Sequence, residues 1–505
     1  MSLSSLSRRF ACGALLLAAT APFARPALAE APILMPVQND PTVSFAVWFK
    51  VGSQNDPKGK EGLAAVTAGL LSEGATTSNT YEQVLRKLYP LASRYNLRVD
   101  KEMTVLSGRT HVDNIEAFFP LFTDAYLKPA FSEADFERVR TNLVNHIGTT
   151  LRYASEEELA KAALTDFVYG GTPYAHPVEG TVAGLKAITL DDVKAFYKQY
   201  YNRANAVPAL GGGYPDSLPA RFAKTLESLP AGKAPAPVQV AAAPGAGRQV
   251  VLVQKPGADS SISFGVPIPV RRGQDDFYAL WLANSWLGEH RNSSSHLFQV
   301  IREERGMNYG NYSYVEAFPN GGQRNAPPSG TGRNQQLFEV WIRTLPNDNA
   351  VFAVRAALRE IQRLIDQGMT EEEFQLTRSF LKKYHLHFAE TTEDRLGWRI
   401  DDAFYGISGK GHLAQFAAKM DALTRDQVNA AIKKYWKAEN LRFAIVTGEA
   451  EKIKGQLTGT AATPPTYASP KSDEIKAEDA KIEIYPLGIP AGAVKIVPVE
   501  TIFEH

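Results

Sequence analysis

The sequence predicts an α+β protein of two homologous halves, each a largely antiparallel sheet packed with helices. Three observations carry this. A proline-, alanine- and glycine-rich stretch at 230–247 lacks apolar periodicity and reads as a linker. It divides the 505 residues almost evenly. Short segments recur across it at near-constant offsets, and strand-like and helix-like patterns mix within each half.

The repeats are specific. Val43-Ser44-Phe45 matches Ile262-Ser263-Phe264, 219 residues on. Ser132-Glu-Ala-Asp-Phe136 with Arg140 matches Thr370-Glu-Glu-Glu-Phe374 with Arg378, at 238. The stretch from Ile188 to Val193 pairs without gaps with Leu423 to Val428, at 235. That offset also carries Tyr200 to Tyr435, Asn205 to Asn440 and Gly213 to Gly448. Three similar offsets in the same order make 30–229 and 248–465 two copies of one unit.

The elements follow in order. Residues 1–29 read as a cleavable signal peptide. Arg8 and Arg9 precede an apolar run, and Ala27-Leu28-Ala29 offers small residues for cleavage. The run is too short to span a bilayer. Ser7-Arg8-Arg9 loosely suggests twin-arginine export. Residues 45–51 are rich in β-formers and predict a strand. Residues 62–71 predict a helix. Ser132, with Asp135 three residues later, predicts a capped helix start, and Thr189 with Asp192 predicts another running to Tyr201. Residues 206–210 close the first half as a strand. In the second half, Ser293-Ser294-Ser295 reads as a cap, Gly306 as a helix stop, and 307–315 as a strand. The extension 466–505 reads as an extended arm that docks on the body.

Composition narrows the function. Formal net charge is +1, and the first 29 residues hold three arginines and no acid, leaving −2 after cleavage. That balance points to neither nucleic acid nor an anionic membrane as partner. The single cysteine, Cys12, lies in the leader, so the exported chain has neither thiol nor disulfide. These features predict a soluble periplasmic protein.

The frame Val51-Gly52-Ser53, Glu61-Gly62-Leu63-Ala64-Ala65-Val66-Thr67-Ala68-Gly69-Leu70-Leu71 and Glu73-Gly74 resembles the pitrilysin/insulinase family of zinc peptidases. In that family this helix carries H-x-x-E-H. Two histidines four apart bind Zn²⁺ from one face, and the glutamate is general base to the metal-bound water. The matching positions here are Ala65, Ala68 and Gly69. A methyl group or a hydrogen has no lone pair for a metal. The family's third ligand is a glutamate roughly eighty positions beyond the first histidine. That position holds His146, which alone makes no site and is expected to be a helix histidine satisfied by hydrogen bonds. No other set replaces it. His385 and His387 point to opposite helix faces, and His290 and His296 lack an acid at ligand spacing. His111, His176 and His412 are isolated, and Ser293-Ser294-Ser295 lacks a nucleophile context.

The second half keeps a different motif. Leu287-Gly288 and the run from Ser293 to Tyr309 resemble the family segment in which an arginine near a helix end and a tyrosine seven residues later act together. Here these are Arg302 and Tyr309. A phenol O–H and a permanently charged guanidinium can stabilise the oxyanion formed when a peptide carbonyl is attacked. By themselves, an arginine at a helix end is usually a solvated charge and a tyrosine in a strand is usually core. The surrounding motif favours the functional reading. Arg305 competes with Arg302, and only spacing separates them.

The resemblance implies one side of a clamshell. It implies a non-catalytic subunit that encloses peptide with a homologous zinc-bearing partner and supplies Arg302 and Tyr309 in trans. Zn²⁺ would belong to the partner, with no cofactor in this chain. A metal-free structural or peptide-binding scaffold is the alternative, and a lone zinc enzyme with unusual ligands is the third reading.

Overall fold

The computed structural model describes residues 30–236, 238, 240 and 245–505. The signal-peptide reading of 1–29 lies outside the described residues. The described part of 230–247 carries neither helix nor strand.

Eleven strands among the described residues form two sheets. The first contains β1 (Ile33–Pro36), β2 (Thr42–Phe49), β3 (Arg94–Val99), β4 (Thr104–His111) and β5 (Ala206–Gly212), in the order β1-β5-β2-β4-β3. The second contains β6 (Gln249–Gln254), β7 (Ser260–Ile268), β8 (Asn311–Tyr314), β9 (Gln336–Leu345), β10 (Arg442–Thr447) and β11 (Val494–Pro498), in the order β11-β6-β10-β7-β9-β8. The topology repeats. β1 runs parallel to β5 as β6 does to β10, and β2, β3 and β4, like β7, β8 and β9, join by antiparallel pairs. Only β11 has no counterpart; it adds parallel to β6 at the sheet edge.

Each sheet buries one face under helices of its own half. Val43, Phe45, Val47 and Phe49 of β2 enter the first core, where Phe45 packs on Phe118, Phe119, Phe122 and Phe222 at 5.5–6.0 Å. The other face is covered by a helix exchanged between the halves. Helix Glu156–Tyr169 of the first half lies on β7 and β10, burying Leu159, Ala160 and Ala163 in a core shared with Ala444 and Val446. Helix Thr392–Tyr405 of the second half lies on β2 and β5, burying Leu396 and Ile400 against Ala46, Trp48 and Ala209. Both helices open with a hydroxyl cap, Ser155 and Thr391, 236 residues apart. Burial on both faces explains why β2 reads as a near-continuous apolar run rather than a half-solvated strand.

Some local expectations change. Asp135 does not complete a capping box: Ser132 accepts from the Asp135 amide, but the Asp135 carboxylate accepts from Ala75 N. Thr189 and Asp192 do form the reciprocal box. The serine run at 293–295 is a turn; Asn292 Oδ1 accepts from Ser294 N, and Ser295 Oγ donates back to Asn292 O. The C-terminal extension is not a simple arm. Its charged part folds as helix Asp473–Ile482, and only Val494–Pro498 is a strand.

Candidate functional site

The motif helix Leu63–Glu73 begins at Gly62 with φ of 110°, a left-handed conformation open to glycine. A Cβ there would meet Leu185 Cδ2 at 2.6 Å, so both backbone and packing demand glycine. Gly62 cannot cap, and Asp56 does so from outside the helix, accepting from Gly62 N and Ala64 N at 2.7 Å each. Burial pushes the Asp56 carboxyl up to about 7 and the neighbouring Lys101 ammonium down to about 7.

Ala65 and Gly69 lie one turn apart and are half-buried; Ala68 is buried. The missing Cβ of Gly69 lets helix Glu133–Asn145 come close. A Cβ built at Gly69 would stand 2.6 Å from Val139 Cγ1. The Gly69 position is therefore closed by a helix–helix contact, and Ala65, Ala68 and Gly69 all lack donor atoms. His146 follows directly on helix Glu133–Asn145, at the start of a π-wound stretch His146–Ala154. It is half-buried, and among the described residues its ring makes no hydrogen bond, contrary to the expectation of a satisfied histidine. Among the described residues no group of three or more His, Cys, Asp or Glu could hold a metal. The residues at the family's zinc positions do not fit the ion.

The other histidines have structural partners. His290 bonds Tyr314 Oη and Arg324 O, His296 meets Glu360 at 2.6 Å, and His412 stacks on Trp398. His385 is buried and His387 exposed, in a 3₁₀ turn rather than a helix.

Arg302 sits in a second π-wound stretch, Phe298–Glu303. π-winding recurs at functional sites, and here its two stretches fall on the two motif segments. Gly306, at φ 68°, ends the helical segment with paired bonds, Gly306 N to Arg302 O at 2.8 Å and Met307 N to Ile301 O at 3.3 Å. The expected stop is therefore present, but the expected strand is shorter. Residues 307–310 form a turn, and β8 starts at Asn311. Tyr309 is on that turn, 78 % exposed, and not in a strand. Two side-chain amides hold the turn: Asn308 Nδ2 donates to Asn311 Oδ1 and Asn311 Nδ2 to Asn308 Oδ1, each at 2.9 Å. Gly310 lets the Tyr312 ring lie close, since a Cβ would meet Tyr312 Oη at 2.2 Å and displace the phenol. These positioning residues were legible as the run Asn308-Tyr309-Gly310-Asn311, whose turn-forming types undercut a strand.

The two arginines separate cleanly. Arg305 is buried and fully engaged, donating to Asp479 and Glu478 at 2.9 Å, Glu304 at 2.8 Å and Val300 O at 2.7 Å. It pins the C-terminal helix. Arg302 is half-buried, and among the described residues its guanidinium has no hydrogen bond or ion pair. No hydrogen bond joins Arg302 to Tyr309.

The fold and the emptied motif define a class: a two-halved peptidase-type chain without ligands at its metal positions. The chain belongs to the insulinase family, peptidase family M16, as an inactive-type zinc-protease homologue. The family model "Insulinase (Peptidase family M16)" matches residues 33–182, and "Peptidase M16 inactive domain" matches 187–381. Relatives include the uncharacterized zinc protease YmxG of Bacillus subtilis, 23% identical over 418 residues, covering 81% of this chain and 95% of that one. The non-peptidase homolog YmxG of Helicobacter pylori is 23% identical over 410 residues, covering 79% and 88%. The same fold occurs in the crystal structure of a peptidase M16 inactive domain from Pseudomonas fluorescens. Its TM-score is 0.72 at 22% identity, covering 83% of this chain and 96% of that one. No helix among the described residues is long and apolar enough to cross a membrane.

Proposed function

We propose that this chain is the metal-free subunit of a two-chain zinc peptidase of the periplasm. A homologous partner carries H-x-x-E-H and the zinc, peptide is enclosed between the two chains, and this chain supplies Arg302 and Tyr309. The observation that carries the reading is the contrast between the two motifs. The first is stripped of ligands and closed by Val139 against Gly69. The second holds the Arg302 guanidinium on its π-wound stretch and the Tyr309 phenol on a braced turn, both without hydrogen-bond partners among the described residues.

The chemistry suits an oxyanion. An O–H and an N–H aimed beforehand at developing negative charge need no reorganisation during reaction. The test is reconstitution with the zinc-bearing partner. Arg302→Ala and Tyr309→Phe should each lower kcat for peptide cleavage by about 100-fold, the scale for losing one oxyanion donor. Unchanged rates with a bound, folded variant would sink the trans-site reading. A stable homodimer that activates no partner would favour the scaffold alternative.

A further inference from the structure

The two sheets differ on the face covered by the exchanged helices. On the second sheet, β8 and β9 present Tyr312, Tyr314 and Trp341 there. Phe318 packs on them, and Lys161 of the exchanged helix lies 4.4 Å from the Trp341 ring centre. The face is filled. On the first sheet the same region, on β2, β3 and β4, carries Ser44, Asn96, Arg98 and Ser107. These side chains are polar, and none of them has an aromatic cross-strand partner on β2, β3 or β4. A cavity of about 500 Å³ opens between this face and the second-half segment from Gln323 to Gly330. That size lies within the roughly 300–1,000 Å³ range of small-ligand pockets.

The lining is charged and unfinished. Arg98 and Arg324 face the cavity from opposite halves, and among the described residues neither guanidinium has a hydrogen bond or an ion pair. Arg324 Nε is buried without a partner. Burial, and then the like charge of Arg98, work against its protonated form. Ser44, 1 % exposed, also lines the cavity with its Oγ unpartnered. Three carboxylates also line the cavity: Glu390 lies 2.8 Å from His387 Nδ1, Asp394 accepts from Thr391 Oγ1 at the helix start, and Glu393 has no hydrogen bond among the described residues. None of these carboxylates pairs with Arg98 or Arg324. Phe388, Leu396 and Trp398 give the remaining wall an apolar character.

We propose that this cavity binds a small carboxylate-bearing molecule, specifically the C-terminal end of a short peptide, with the carboxylate clamped between Arg98 and Arg324. Two guanidiniums match a planar anion, and charge-assisted hydrogen bonds of this kind are strong. The apolar wall takes the terminal side chain. The choice of peptide rests on the proposed function; the anion clamp rests on the cavity alone.

Calorimetry on the exported full chain tests it, with N-acetyl-Ala-Ala-Phe as free acid, the same peptide as C-terminal amide, and inorganic phosphate. The acid should bind, the amide at least tenfold more weakly. Arg98→Gln and Arg324→Gln should each weaken the acid at least tenfold. Arg302→Ala should bind the acid as wild type does, so loss of the trans-site reading and loss of this one are distinguishable. Because Arg324 is unpaired and repelled, Arg324→Gln should keep or raise the melting temperature, which separates lost binding from misfolding. Equal binding of acid and amide, wild-type affinity in either glutamine variant, no binding of the acid, or binding of phosphate without the peptide would each overturn the proposal.

Discussion

Arg302 and Arg305 are three positions apart and have opposite fates. Arg305 satisfies two carboxylates of the C-terminal helix, and Asp479 among them is buried. Arg305→Ala would strand that charge, so the expected loss is about 3 kcal/mol. Arg302→Ala breaks no hydrogen bond or ion pair and should stay within about 0.5 kcal/mol of wild type. Urea unfolding of both variants checks this; comparable losses would mean that Arg302 is structural. Spacing in the sequence favoured Arg302, but it carried no trace of Glu478 and Asp479, which lie more than 170 positions away.

At the scale of elements, the motif helix is shaped by what replaced its ligands. Gly69 permits contact with Val139 and costs helix propensity, about 1 kcal/mol relative to alanine. Gly69→Ala regains that propensity but overpacks against Val139, which as a β-branched residue has little freedom to turn away. The net expectation is a destabilisation of about 1–2 kcal/mol. In a double-mutant cycle with Val139→Ala, the two changes should couple by about 1 kcal/mol or more. Additive effects would show that the helices separate freely. The same contact implies that restoring His at 69 alone would not rebuild a zinc site. The sequence revealed the lost donors, because alanine and glycine have none. It did not reveal the closure, because Val139 is ordinary core until Gly69 is seen beside it. The tyrosine turn shows the converse. Gly306 was legible as a stop, but 307–315 passed for a strand, and only the Asn308–Asn311 amide pair sets Tyr309 outside it.

At the scale of the molecule, the halves share their cores. Helix Glu156–Tyr169 is tied to the second sheet by Tyr169 Oη to Gln336 O at 3.0 Å, and Glu157 accepts from Arg343 at 2.8 Å. Helix Thr392–Tyr405 is tied to the first half by Thr392 Oγ1 to Asp40 at 2.6 Å. The C-terminus closes the circuit, since Arg152 donates to Ile502 O at 2.7 and 2.9 Å. Residues 30–229 and 248–505 expressed separately should therefore aggregate, each exposing an apolar sheet face and an orphaned helix. Co-expression should restore one soluble species on size exclusion. A monomeric, cooperatively unfolding first half would contradict the shared core.

The sequence by itself determined the duplication, a few strands and capped helices around the motifs, the family frame and the absence of metal-binding atoms at Ala65, Ala68 and Gly69. These follow from local pattern and residue chemistry, which a linear chain displays. The tertiary structure decided which arginine is free, which tyrosine is exposed, which helix covers which sheet, and where a charged cavity stays open. Those depend on side chains brought together across the two halves, and no local pattern encodes which distant partner a charge will meet.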